Sequence, residues 1–251
     1  QLFRAASASH VISILYQLLL RDKIDERVSE TIYQLLPKVS KTDVFISHSW
    51  SCPAWKKILA ICHYLNLHLA VLASLIAAAL AVTILVHASG SFSAVAKQSS
   101  SLLYGVLMCW PMAVFVLTYL FGHLAVDQSS FWFDRLCIPQ INLWVRAQTL
   151  QHVPVFVAHS SQMLVLWDDT YFERLWCNYE LAVHVKAAAS KDTPALQLVP
   201  MWMPIWTLSS CGLFTIAGFL FAEQGSTTES VDLDSKTAVS LFMSIYNRHF
   251  N

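Results

Sequence analysis

Two side chains, Trp176 and Glu180, set the first chemical expectation for this sequence. They lie four residues apart in Thr170-Tyr171-Phe172-Glu173-Arg174-Leu175-Trp176-Cys177-Asn178-Tyr179-Glu180-Leu181, so a helix puts them on one face and in contact range. An aromatic wall beside a lone carboxylate is a setting in which a carboxylate is tuned for chemistry. Thr170 and Glu173 have the spacing of a capping box, which predicts a helix from Thr170 to about Ala189. The same pattern also fits a plainer role, with Trp176 in the core and Glu180 on a solvated edge.

The elements that must position these residues follow from the apolar runs. Asp43-Val44-Phe45-Ile46-Ser47-His48-Ser49-Trp50 reads as a buried strand ending in a loop. Residues 52–66 read as a helix with Trp55, Ile58, Leu59, Cys62 and Leu65 on one side. Phe131-Trp132-Phe133-Asp134 predicts a second strand, residues 141–158 a mixed helical segment, and residues 163–167 a third strand. Residues 196–201 are either a fourth strand or part of a linker. Alternating short strands and helices imply a parallel sheet covered on both faces. Residues 1–42 read as an amphipathic helical segment, a packing helix or docking arm ended by Pro37.

Composition adds a membrane. The 251 residues are 56% hydrophobic and 13% charged, against about 45–50% and 25% in soluble domains. The surplus lies in blocks. Residues 69–86 contain no charge and ten Leu, Ile or Val side chains; at roughly −0.5 kcal/mol each these favour insertion by about −5 kcal/mol. Residues 102–126 form a second uncharged run with Pro111 near its middle, and residues 205–222 a third. The first two predict a helical hairpin through a lipid bilayer. Lys56, Lys57, Arg135 and Arg146 flank the hairpin and only Lys97 lies in its loop, which puts the flanks in the cytosol. A formal net charge of zero without a basic cluster gives no sign of nucleic-acid binding. The six cysteines are scattered without metal-site spacing and read as reduced thiols, so no metal is expected.

Three pieces, in order, resemble a TIR domain. Residues 43–48 resemble its first box. Phe133-Asp134-Arg135 through Pro139-Gln140 resembles its second strand and BB loop, in wording closer to HET-type and protist variants. Tyr171-Phe172-x-x-Leu175-Trp176-Cys177-x-x-Glu180-Leu181 resembles the helix that carries W-x-x-x-E. The three quoted segments amount to 25 of the 251 residues, about a tenth of the chain.

The resemblance implies an α/β, flavodoxin-like parallel sheet. Here a transmembrane hairpin interrupts that sheet and a further transmembrane helix follows it. The expected organisation is 1–42 helical segment, 43–66 first TIR-like part, 67–126 hairpin, 127–198 second TIR-like part, 199–222 third span and 223–251 acidic and amphipathic tail. The resemblance also implies cleavage of the nicotinamide–ribosyl bond of NAD, as substrate rather than cofactor, with Glu180 as the catalytic position. A carboxylate there steadies the ribosyl cation as the base leaves, much as glycosidases use theirs. Ligands of open α/β sheets bind beyond the carboxyl ends of strands. That places Ser47, His48, Ser49, Asp134, Arg135 and Trp176 as binding residues. The alternative the resemblance allows is a catalytically silent, membrane-tethered module that signals by homotypic TIR–TIR assembly.

Overall fold

The computed structural model describes residues 2–21, 26–90, 105–126, 129–189 and 195–227. Its centre is a sheet of β1 (Ala6–Ser7), β2 (Thr42–His48), β3 (Ser130–Trp132), β4 (Ser160–Trp167) and β5 (Ala195–Pro200), in the order β1-β3-β2-β4-β5. The pairs β3–β2, β2–β4 and β4–β5 are parallel, and β1 joins the edge antiparallel to β3. In β4, Met163, Leu164, Val165 and Leu166 are fully buried, as expected of a strand covered on both faces. The register sets Ser47 beside Val165 and His48 beside Leu166, so both end at the same carboxyl edge.

Helices α1 (Ala8–Arg21) and α2 (Glu26–Leu35) precede β2, and α3 (Ala54–Ser89) follows it. Past a π turn (Gly105–Cys109), α4 (Trp110–Phe121) and α5 (His123–Val126) lead back to β3. Between β3 and β4 come α6 (Asp134–Cys137), α7 (Leu143–Gln151) and α8 (Val153–Ala158); α9 (Leu175–Ala188) follows β4 and α10 (Met203–Thr227) follows β5. α1 and α10 pack on α3, while α8 and α9 pack together and against β4 and β2.

The first helix and the first apolar run are one element. α3 has 36 residues, about 54 Å of unbroken helix. Its lower part is buried at Lys57, Ile58, Ala60, Ile61, Cys62, His63 and Asn66. Its upper part is long and apolar enough to cross a membrane, and only 17% of its most apolar window is buried, unlike the core helix of a soluble bundle. Met203–Leu220 of α10 is the second such helix, 6% buried. Within the 102–126 run, the described stretch Gly105–Phe121 is apolar but shorter than a full span. Residues 91–104, with Lys97, and most of the acidic tail lie outside the described residues.

At the root of the hairpin the two helices are joined by polar bonds. The Asn66 amide donates to the Tyr119 carbonyl at 2.9 Å and meets His123 Nδ1 at 3.2 Å, and His63 Nδ1 meets the Tyr119 hydroxyl at 3.0 Å. Gly122 permits the close approach. A Cβ there would stand 2.6 Å from the Thr118 carbonyl, 3.1 Å from Leu69 and 3.3 Å from Asn66.

Four expectations change. Residues 195–200 are a strand, so the linker reading is excluded there. The helix after β5 begins at the carboxyl edge, three residues past Pro200, but does not continue beyond it. α10 lies along α3, α4 and the π turn, and so runs back past the sheet towards the apolar end of the hairpin. The capping box at Thr170 does not form: the Thr170 hydroxyl and N–H both donate to Asp168, closing a turn, and the helix starts at Leu175 with Arg174 as N-cap. Lys57, counted as a flanking surface charge, is 6% exposed.

Candidate functional site

Side chains alternate across a strand, and the last two residues of β2 therefore face different layers. Ser47 points to α9. Its hydroxyl donates to Glu180 Oε2 at 2.6 Å and lies 2.8 Å from the Tyr171 hydroxyl. Ser47 has one proton and gives it to Glu180, so Tyr171 is the donor in the second bond. The result is a buried relay from Tyr171 through Ser47 to Glu180. Glu180 sits on the inward stripe of α9, Cys177, Glu180, His184 and Ala188, and is 4% exposed.

Burial pushes the Glu180 carboxyl up to about 8, and the nearby Asp134 charge adds to the rise. Hydrogen bonding from Ser47 and Trp176 works the other way and is outweighed. At neutral pH the group is a carboxylic acid held close to its ionisation point.

His48 faces the opposite layer, stacked on Phe133 at 4.9 Å between ring centroids. Burial, with the Lys57 and Arg174 charges, holds it well below the usual imidazole range, so the ring is neutral. Its Nε2 lies 3.9 Å from Asp134 Oδ1, a contact rather than an ion pair. Asp134, at the start of α6, is raised to about 6, chiefly by burial. The Arg135 backbone N–H, donating at 2.6 Å, and the Lys57 and Arg135 charges restrain that rise.

Two clefts open at this edge, and Trp50 and Asp134 line both. One, of about 280 Å³, is bounded by Trp50, Asp134, Ile138, Gln140, Arg146, Leu150 and Trp176. The other, of about 370 Å³, runs under α1 past His48, Cys52, Lys57, Phe133 and Arg135. Trp176 is 42% exposed, a cleft wall and not the core residue its spacing suggested. Glu180 itself lines neither cleft and stands behind Trp176. Ser49 lines neither and is committed to the loop, bonded to Ser51 at 2.7 Å and Thr170 at 2.9 Å. Among the described residues no group of three His, Cys, Asp or Glu side chains could hold a metal ion.

Sequence reading passed over Tyr171, Trp50, Lys57 and Arg146. Trp50 and Lys57 carried a usable signal: an aromatic directly after the strand-end loop, and a cation one turn into an apolar helix. Tyr171 carried none, because its role depends on a turn that only the fold creates.

The arrangement offers a near-neutral carboxyl with a hydroxyl relay behind it, beside an aromatic-walled cleft carrying Arg146. Such a group can steady a positive charge developing in the cleft once it ionises. The chain matches no family model, and no curated protein or solved structure is significantly similar to it.

Proposed function

We propose that this is a membrane-anchored, TIR-like protein whose α/β domain hydrolyses the nicotinamide–ribosyl bond of NAD through Glu180, after self-association. The observation that carries the reading is the buried Glu180 carboxyl, hydrogen-bonded to Ser47 and set one helical turn from Trp176 at the cleft wall. A cationic pyridinium entering that cleft favours the ionised carboxyl, so substrate itself supplies the charge that burial withholds. The carboxylate then stabilises the ribosyl cation as neutral nicotinamide departs, and water completes hydrolysis. Among the parallel strands the chain order 2-1-3-4 is that of flavodoxin-like sheets, whose ligands bind at this carboxyl edge.

The membrane reading rests on α3 and α10, with the domain at the cytosolic face by the distribution of Lys and Arg. Protease accessibility of the 127–198 segment in sealed vesicles tests it; protection from the cytosolic side contradicts it. NAD consumption by the membrane-reconstituted chain, compared with Glu180→Ala, tests the activity. Equal turnover in both, or none in either while folded and clustered, ends the enzymatic reading. One feature favours the non-catalytic assembly module instead. α7 and the residues before it present Ile141, Leu143 and Trp144 at 48%, 73% and 69% exposure, an apolar face suited to a second copy. Clustering and signalling by Glu180→Ala would support that second reading.

A further inference from the structure

The pocket under α1 contains two cationic donors: Lys57, which the proposed chemistry leaves unused, and Arg135, which the TIR resemblance places among the residues that bind NAD. Lys57 is 94% buried, being 6% exposed, and lines the pocket. Its ammonium makes no hydrogen bond or ion pair among the described residues; the one carboxylate lining the pocket, Asp134, has its near contacts with the Arg135 N–H and His48. The charges of Asp134 and Asp168 reach it through space, but neither carboxylate bonds to it, so its donors stay open to an anion in the pocket. The Arg135 guanidinium is held over the Trp50 ring at 5.5 Å, and its Nε is buried without a partner. Pro53 caps α3 with no side-chain hydrogen bond, and Pro53 and Ala54 both line the pocket, so the positive end of a 36-residue helix opens into it. Leu15, Leu18 and Phe133 supply apolar walls.

We propose that this pocket binds the phosphate group of a small phosphorylated organic ligand, held by Lys57, Arg135 and the first turn of α3. A point charge, a planar fork and helix N–H groups converging on one space suit a phosphate with its several acceptor oxygens. The volume of about 370 Å³ exceeds a bare phosphate and leaves room for an apolar or aromatic body along α1. The site does not depend on the NAD-cleaving reading, since its ligation uses neither Glu180 nor its relay.

The test is thermal unfolding of the full chain in detergent micelles without NAD, titrated with inorganic phosphate and with AMP against chloride at matched ionic strength. Wild type and Glu180→Gln are expected to gain stability with both ligands. Lys57→Met, nearly isosteric, is expected to be at least as stable as wild type without ligand and to bind either ligand at least tenfold more weakly. Arg135→Gln is expected to weaken both similarly, and Lys57→Arg to retain binding. Unchanged affinity in Lys57→Met, or no stabilisation of wild type beyond the chloride control, overturns the proposal. Adding NAD separates two sources of the phosphate: competition with AMP identifies the substrate's own phosphates, and additive stabilisation a separate effector.

Discussion

Two buried polar clusters in this molecule invite comparison. One is the relay of Tyr171, Ser47 and Glu180 at the carboxyl edge of the sheet; the other is His63, Asn66, Tyr119 and His123 at the root of the hairpin. Both bury side chains that water would otherwise solvate, and both are hydrogen-bonded. They differ in what is left over. The hairpin cluster pairs neutral groups with one another and with a backbone carbonyl, next to a glycine that closes the helices together. The edge cluster contains an ionisable carboxyl with no cation against it among the described residues, one turn from a cleft wall. A satisfied neutral network holds elements together, whereas a carboxyl kept from its preferred charge holds a free-energy difference that a cationic ligand can release.

This contrast can be broken at either cluster. The largest expected effect is on turnover: Glu180→Gln keeps the Ser47 hydrogen bond and removes the charge, and should lower NAD consumption by about 10²–10⁴-fold. Asn66→Ala should leave turnover per folded molecule within a few-fold of wild type.

The next effect is on the pH dependence of stability. The carboxyl of Glu180 is raised from 4.5 to about 8 on folding, so between those values the unfolded chain has lost a proton that the folded chain retains. Stability therefore falls as pH rises from about 4.5 to 8, by a few kcal/mol in total. Asp134, raised to about 6, contributes the same sign from about 4 to 6. Denaturant titrations of Glu180→Gln should show a shallower slope above pH 6; a slope identical to wild type would mean Glu180 ionises freely in the folded protein.

Smaller effects separate the two clusters by stability alone. Gly122→Ala crowds the Thr118 carbonyl of its own helix and the Leu69 and Asn66 side chains of α3, and should cost about 1–3 kcal/mol. Asn66→Ala removes one donor to the Tyr119 carbonyl and one contact to His123 Nδ1, and should cost about 1–3 kcal/mol. Tyr171→Phe removes one neutral hydrogen bond and should cost only about 0.5–1.5 kcal/mol while shifting the pH profile of turnover. Equilibrium unfolding of the three variants measures the ranking.

What was legible in the sequence was whatever a periodic signal carries. The buried runs at 43–48 and 163–167 became β2 and β4, and the uncharged run at 69–86 became the exposed part of α3. Features set by short-range competition were not legible. Thr170 looked like a helix cap, but Asp168 two residues earlier offers its hydroxyl a nearer acceptor, and the helix yields five residues. β1 is two residues long, too short to show alternation, and exists only because β3 presents an edge. The continuity of α3 was hidden because its lower half is amphipathic and its upper half apolar all round, which reads as two elements. Glu180 was found by its spacing from Trp176, yet that spacing suggested the reverse burial: the carboxyl is inside and the indole half outside.

The central claim is the charge state of Glu180, and direct titration tests it without any assumption about substrate. Infrared difference spectra of wild type against Glu180→Gln, recorded across pH, isolate the carboxyl band of this residue. A protonated carboxyl at neutral pH that ionises near 8 is the predicted result; a carboxylate already formed at pH 5–6, as for an ordinary solvated glutamate, would contradict the account.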